Sequence, residues 1–65
     1  MKVRKYDVGK RCTVKFDDIG HVDAMILGGG VIEREWKVFV FPTETIDSVD
    51  TDHIVEIGER ISPRQ

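Results

Sequence analysis

Apolar residues in this chain recur at every second position, in short runs cut by turn signals. Nowhere do they keep helical spacing over a useful length. A period of two is that of half-buried strands. In "RCTVKF", Cys12, Val14 and Phe16 fall on one side and Arg11, Thr13 and Lys15 on the other. "DDIG" follows as a turn in which Gly20 can take positive φ. "HVDAMIL" resumes the alternation, with Val22, Ala24 and Ile26 on one side. After three glycines, "REWKVFVF" has the β-branched and aromatic composition of a strand. Trp36, Val38 and Val40 share one of its faces, and Lys37, Phe39 and Phe41 share the other. Both faces carry bulk, so this strand is expected to be central and covered on both sides for part of its length. Pro42 ends it, because proline has no N–H to donate. A short strand around Ile46 to Val49 comes next. One helical turn at "TDHI", capped by Asp50 or Thr51, and a last strand in "VEIGER" follow. Arg60 to Gln65 is expected to be a frayed tail.

A chain of 65 residues makes one domain with a thin core. So little burial leaves no room for a deep, enclosed active site, and a surface site is expected. Cys12 is the one cysteine, so the chain folds without a disulfide, which fits a reducing compartment. No apolar run approaches the roughly 20 residues of a membrane helix. The basic start "MKVRKYDVGKR" has no apolar segment after it, so no secretory signal is expected. These points together set the expectation of a cytoplasmic protein.

The stretch "DVGKRCTVKFDDIGHVDAMIL" followed by "WKVFVFPTETIDSVDTDHIVEIG" resembles the SH3-like barrel group and, within it, the Tudor-like domains. "VG" precedes strand one, "KFDD" ends it in a polar turn, and a strand ending in "AMIL" runs back. "KVFVF" makes strand three. "IDSVDTDHIVEI" gives strand four, a single helical turn and strand five. The likeness covers about residues 8 to 58, between a basic N-terminal segment (1–11) and the tail (60–65). It implies an all-β fold, a small five-stranded antiparallel barrel with one short helical turn before the last strand. Such barrels host unrelated roles, so function has to be argued from residues.

Gly28, Gly29 and Gly30 raise the question of a phosphate cradle. That chemistry needs a helix after the glycines, with free N–H groups aimed at the anion. Here a strand follows, and no Lys-Ser or Lys-Thr pair completes a nucleotide loop. A hairpin connection or bulged bend is expected instead. The resemblance would place a methyl-ligand cage near Phe16, Phe39 and Phe41, held by cation–π attraction. His21 stands where a ring is common, and Pro42 and Thr43 replace an aromatic turn, so Phe16, Trp36 and Phe39 are assigned to the core. His21 and His53 are isolated, and no calcium-loop pattern is present, so no metal and no cofactor are expected. Cys12 points inward with its alternation partners and is expected to be inert. No catalytic constellation is found.

Charge is what remains. Residues 1–11 hold five bases against Asp7, while residues 12–65 hold five bases and eleven acids. From Val38 to Glu59 there are six acids and no Lys or Arg. Acids interleaved with Ile46, Val49 and Ile54 suit a basic patch on another protein. The expected function is therefore a non-enzymatic protein-interaction module, an adaptor or modulator of a larger assembly. Its expected contacts are Glu44, Asp47, Asp50 and Asp52, with Trp36 or Phe41 as apolar anchor. The alternative is a nucleic-acid-binding accessory protein. It would use Lys2, Arg4, Lys5, Lys10 and Arg11 on phosphates and Tyr6 on a base. Self-association through Phe39 or Trp36 is a further expectation.

Overall fold

The computed structural model describes residues 2–30 and 32–61. Five antiparallel strands form one sheet: β1 (Lys10–Phe16), β2 (Gly20–Gly29), β3 (Glu35–Val40), β4 (Thr45–Asp50) and β5 (Ile54–Arg60). A 3-10 turn at Lys5–Asp7 precedes β1, and a second at Thr51–His53 joins β4 to β5. The second is capped as expected. The Asp52 amide donates to the Asp50 side chain at 2.9 Å, satisfying a donor the short turn leaves open.

The strand order is β4-β3-β2-β1-β5, so β4 and β5 are the two edges. A flat sheet of five strands would hold its edges roughly 19 Å apart. The four Cα steps from Asp50 to Ile54 reach at most about 14 Å. The sheet must therefore curl, and its register shows where. β1 slips against β5 between Lys10 and Cys12 and again between Thr13 and Val14, and β2 slips against β3 between Ile26 and Gly28. Such breaks in register bend a strand and add local twist. The curl stops short of closure, since among the described residues no ladder joins β4 to β5. Both edges stay open.

The concave face holds the core: Cys12, Val14, Ala24, Ile26, Val38, Val40, Val49 and Ile54, with Val3 added from the N-terminal segment. Phe16 and Trp36 pack against its margin. Phe39 departs from the expectation. It lies on the convex face, opposite Met25 on one side and Ile46 on the other. Among the described residues no element packs over that face, so β3 is an interior strand of the sheet covered on one face only. Phe39 packs there edge-on against Phe41, with centroids 5.6 Å apart.

The glycine triplet is a bulged strand end. Gly28 and Gly29 still pair with Lys37 and Trp36. Gly30 then leaves the strand, and a Cβ there would lie 2.5 Å from the Glu35 side chain. The N-terminal segment is docked through Val3 and Asp7, both buried. Arg60, expected at the start of a frayed tail, belongs to β5, and its guanidinium donates to the carbonyls of Tyr6 and Val8. The Ile61 amide donates to the Gly9 carbonyl at 3.0 Å. From residue 62 the expected tail lies outside the described residues. No helix among them is long and apolar enough to cross a membrane.

Candidate functional site

In an up-and-down sheet, alternate turns share an end. The β1–β2 turn (17–19) and the β3–β4 turn (41–44) therefore meet at one end of the sheet, and the β2–β3 and β4–β5 connections meet at the other. Each end carries a shallow cleft.

At the first end a cleft of about 270 Å³ is lined by Phe16, Ile19 and Val40 and by the carboxylates of Asp18 and Asp47. Thr43 and Thr45 complete it, with their hydroxyls 2.7 Å apart. Asp47 reaches this cleft because it is paired opposite Val38 and so shares the concave face, although the strand is an edge. Ile19 is 56% exposed at the turn tip. Among the described residues, neither Asp18 nor Asp47 takes part in an ion pair. The cleft thus joins uncompensated negative charge to exposed apolar surface.

The second end has a larger cleft of about 490 Å³ lined by Lys2, Val3, Glu33, Arg34, Trp36, Thr51 and Asp52. Two of its charges pair with each other, and one of them also reaches Asp50. Arg34 reaches Asp52 at 2.9 Å and Asp50 at 3.3 Å. The carboxyls of Asp52 and Asp50 hold the guanidinium firmly ionised. The amide of Asp52, with Arg34 beside it, lowers the Asp50 pKa against its partial desolvation. These are exposed pairs, worth little to stability. They set one positive charge against two of the six acids in the acidic run of the sequence.

The six expected contact residues are therefore dispersed. Asp47 lines the first cleft. Glu44 sits in the adjoining turn at φ 55, a left-handed position. Trp36 and Asp52 line the second cleft, and Asp50 shares Arg34 with Asp52. Phe41 is on the convex face, with the Arg11 guanidinium 5.6 Å from its ring centre. Sequence reasoning missed Asp18, Ile19 and Arg34. "DDIG" was legible as a turn, but only the pairing of strands shows that it faces Asp47.

The aromatic cage positions separate in the same way. Phe16 packs against the concave core, while Phe39 and Phe41 are convex. Of the basic segment, Lys10 is taken up internally, 2.9 Å from Asp7 and 5.3 Å from the Tyr6 ring centre. Lys2 lies in the second cleft, and Arg4, Lys5 and Tyr6 are exposed. His53 Nδ1 lies 2.9 Å from the Lys15 carbonyl, tying the second 3-10 turn to β1. Among the described residues no three His, Cys, Asp or Glu side chains converge as metal ligands.

Cys12 is 1% exposed. Burial, and then the Asp23 charge, push its thiol up to about 11. Ellman's reagent at pH 8 is expected to leave the native thiol unmodified for as long as the fold persists, and to react at once in urea. Equal rates in the two conditions would show that Cys12 is accessible.

No protein-family model, curated protein or solved structure matches this chain.

Proposed function

We propose that this chain is a non-enzymatic protein-interaction module of the SH3-like, Tudor-like barrel type. Its ligand is a basic surface of another protein, and its receiving site is the cleft between the β1–β2 and β3–β4 turns. The strand order and the single 3-10 turn before β5 support the barrel class. The observation that carries the function is the pairing of Asp18 and Asp47 with Phe16 and Ile19 in one open cleft. Unpaired carboxylates steer a basic partner, and apolar surface beside them retains it.

Charge reversal tests this. The double variant Asp18→Lys, Asp47→Lys should slow association with a Lys-rich peptide by about tenfold at low salt and change dissociation less. Stopped-flow fluorescence anisotropy of a dye-labelled peptide reads the rate. An association rate equal to that of the unaltered chain would remove the acidic cleft as the site.

One observation favours the second reading, a nucleic-acid contact. Tyr6 is 64% exposed beside the exposed Arg4 and Lys5. Binding to oligothymidylate that weakens steeply with salt, and whose slope flattens in Lys2→Ala, Arg4→Ala, Lys5→Ala, would favour it over the protein-binding reading.

A further inference from the structure

We propose that the open edge of β4 receives an extended, basic segment of the partner as a sixth strand. Lysine or arginine would stand at alternate positions of that segment, with apolar residues between them. This rests on the interaction-module reading above and says how the partner's backbone is held.

Backbone direction along β4 follows from the hydrogen bonds around it. The Gly30 amide donates to the Glu35 carbonyl at 2.7 Å, and the Phe41 amide to the Asp23 carbonyl at 3.0 Å. Odd residues of β3 therefore turn toward β2. The Thr51 amide donates to the Arg34 carbonyl at 2.8 Å, so even residues turn toward β4. Trp36, Val38 and Val40 pair with Val49, Asp47 and Thr45. By the alternation of an antiparallel ladder, those three residues face β3, and Ile46 and Ser48 turn their N–H and C=O outward. These are the groups an added strand needs.

The side chains specify what such a strand carries. On the concave side it would run beside Thr45 and Asp47, both in the acidic cleft, so its side chains there should be cationic. On the convex side it would run beside Ile46, which is 64% exposed. Ile46 ends a row that crosses four strands as Arg11, Met25, Phe39 and Ile46. An apolar side chain there extends the row and covers Ile46. A second copy is a poor occupant. Two β4 edges would bring their Glu44 and Asp47 carboxylates to one seam. The β5 edge carries Glu56 and Glu59, so β4-to-β5 pairing meets the same repulsion. An inward-facing charge on an edge strand is a known guard against self-pairing.

The test uses the full chain and a capped hexapeptide alternating Lys and Val. Three comparisons accompany it: the same peptide N-methylated at alternate residues, a Glu-for-Lys peptide, and the Ser48→Pro variant. Ser48→Pro removes an outward donor while leaving the β3 ladder intact. Saturable binding is expected, with amide exchange at Ile46 and Ser48 slowed about tenfold or more. Binding should be lost with N-methylation, with the Glu peptide and in Ser48→Pro. N-methylated peptide, which leaves the protein unaltered, keeps the test sound should Ser48→Pro fail to fold. Binding that survives N-methylation, or unchanged exchange at Ile46 and Ser48, would overturn the proposal. Asp18→Lys separates it from the cleft reading, because Asp18 is off the edge. Slowed exchange that persists at full affinity in Asp18→Lys supports the added strand and removes the cleft. Binding that is lost in Asp18→Lys but indifferent to N-methylation does the reverse.

Discussion

Ile26→Ala is expected to leave this domain largely unfolded at room temperature. Ile26 is fully buried at the middle of β2, the central strand of the sheet, opposite Val38. The core cluster it belongs to also holds Val14, Ala24, Val40 and Ile54. Its carbonyl also accepts the Gly9 amide at 2.7 Å, which fixes the entry to β1. Truncating a buried isoleucine costs about 2–5 kcal/mol, with the upper values where surrounding atoms cannot collapse into the void. Neighbours fixed in two ladders on either side are poorly placed to collapse. A core this small rarely supplies more than about 3–5 kcal/mol in total. The loss is therefore comparable to the whole stability. Urea unfolding followed by Trp36 fluorescence reads it, since Trp36 packs against the core margin. Ile46→Ala is the control. That side chain is mostly exposed on an edge strand and should change stability by less than about 0.5 kcal/mol. Equal midpoints for Ile26→Ala and the unaltered chain would mean that β2 is not where the core is anchored.

The contrast between Ile26 and Ile46 marks how far the sequence could be read. Period-two alternation for β1 and β2, β-branched and aromatic composition for β3, and turn signals around β4 and β5 placed the five strands to within a residue or two. Alternation sorted Trp36, Val38 and Val40 from Phe39 and Phe41, but bulk on both faces was read as cover on both, and only the concave face is covered among the described residues. That depends on how far the sheet curls, and curl is set by breaks in register between strands distant in the chain. The second cleft shows the same limit. No Lys or Arg lies between Val38 and Glu59, which made the segment look uniformly acidic. Yet the β3–β4 register sets Glu35 opposite Asp50 and brings Arg34 beside Asp50 and Asp52. Charge counted along a chain is not charge summed over a surface. Asp18 and Asp47, far apart in sequence, line one cleft because strand topology brings their turns to one end, as it brings Arg34 to Asp52 at the other.

Asp7 is the other residue whose replacement should cost most, and one acid among five bases looked unremarkable. Its side chain is buried, with a residue exposure of 5%. One oxygen accepts the Arg4 amide at 2.9 Å and the other accepts Lys10 Nζ at 2.9 Å. The Asp7 amide in turn donates to the Arg4 carbonyl at 2.9 Å, closing the 3-10 turn that docks Val3. Burial alone would raise the carboxyl pKa. The Arg4 amide, the Lys10 ammonium and the Arg4 charge outweigh it and hold the group below its ordinary 3.8. A carboxyl lowered in the folded state stabilises the fold above its unfolded pKa, and that contribution fades as pH falls through the folded value. Asp7→Asn keeps the shape and loses the charge, so it should cost about 1.5–3 kcal/mol at pH 7, the range for hydrogen bonds to a charged group. As pH falls below 3.8 and through the lowered folded value, the unaltered carboxyl is itself neutralised, and the two proteins should converge. Urea midpoints at pH 7, 5 and 2.5 measure both effects. A gap that stays constant across that range would mean that Asp7 acts through shape alone. Convergence at low pH would establish that a buried, charged carboxylate fastens the N-terminal segment to the sheet.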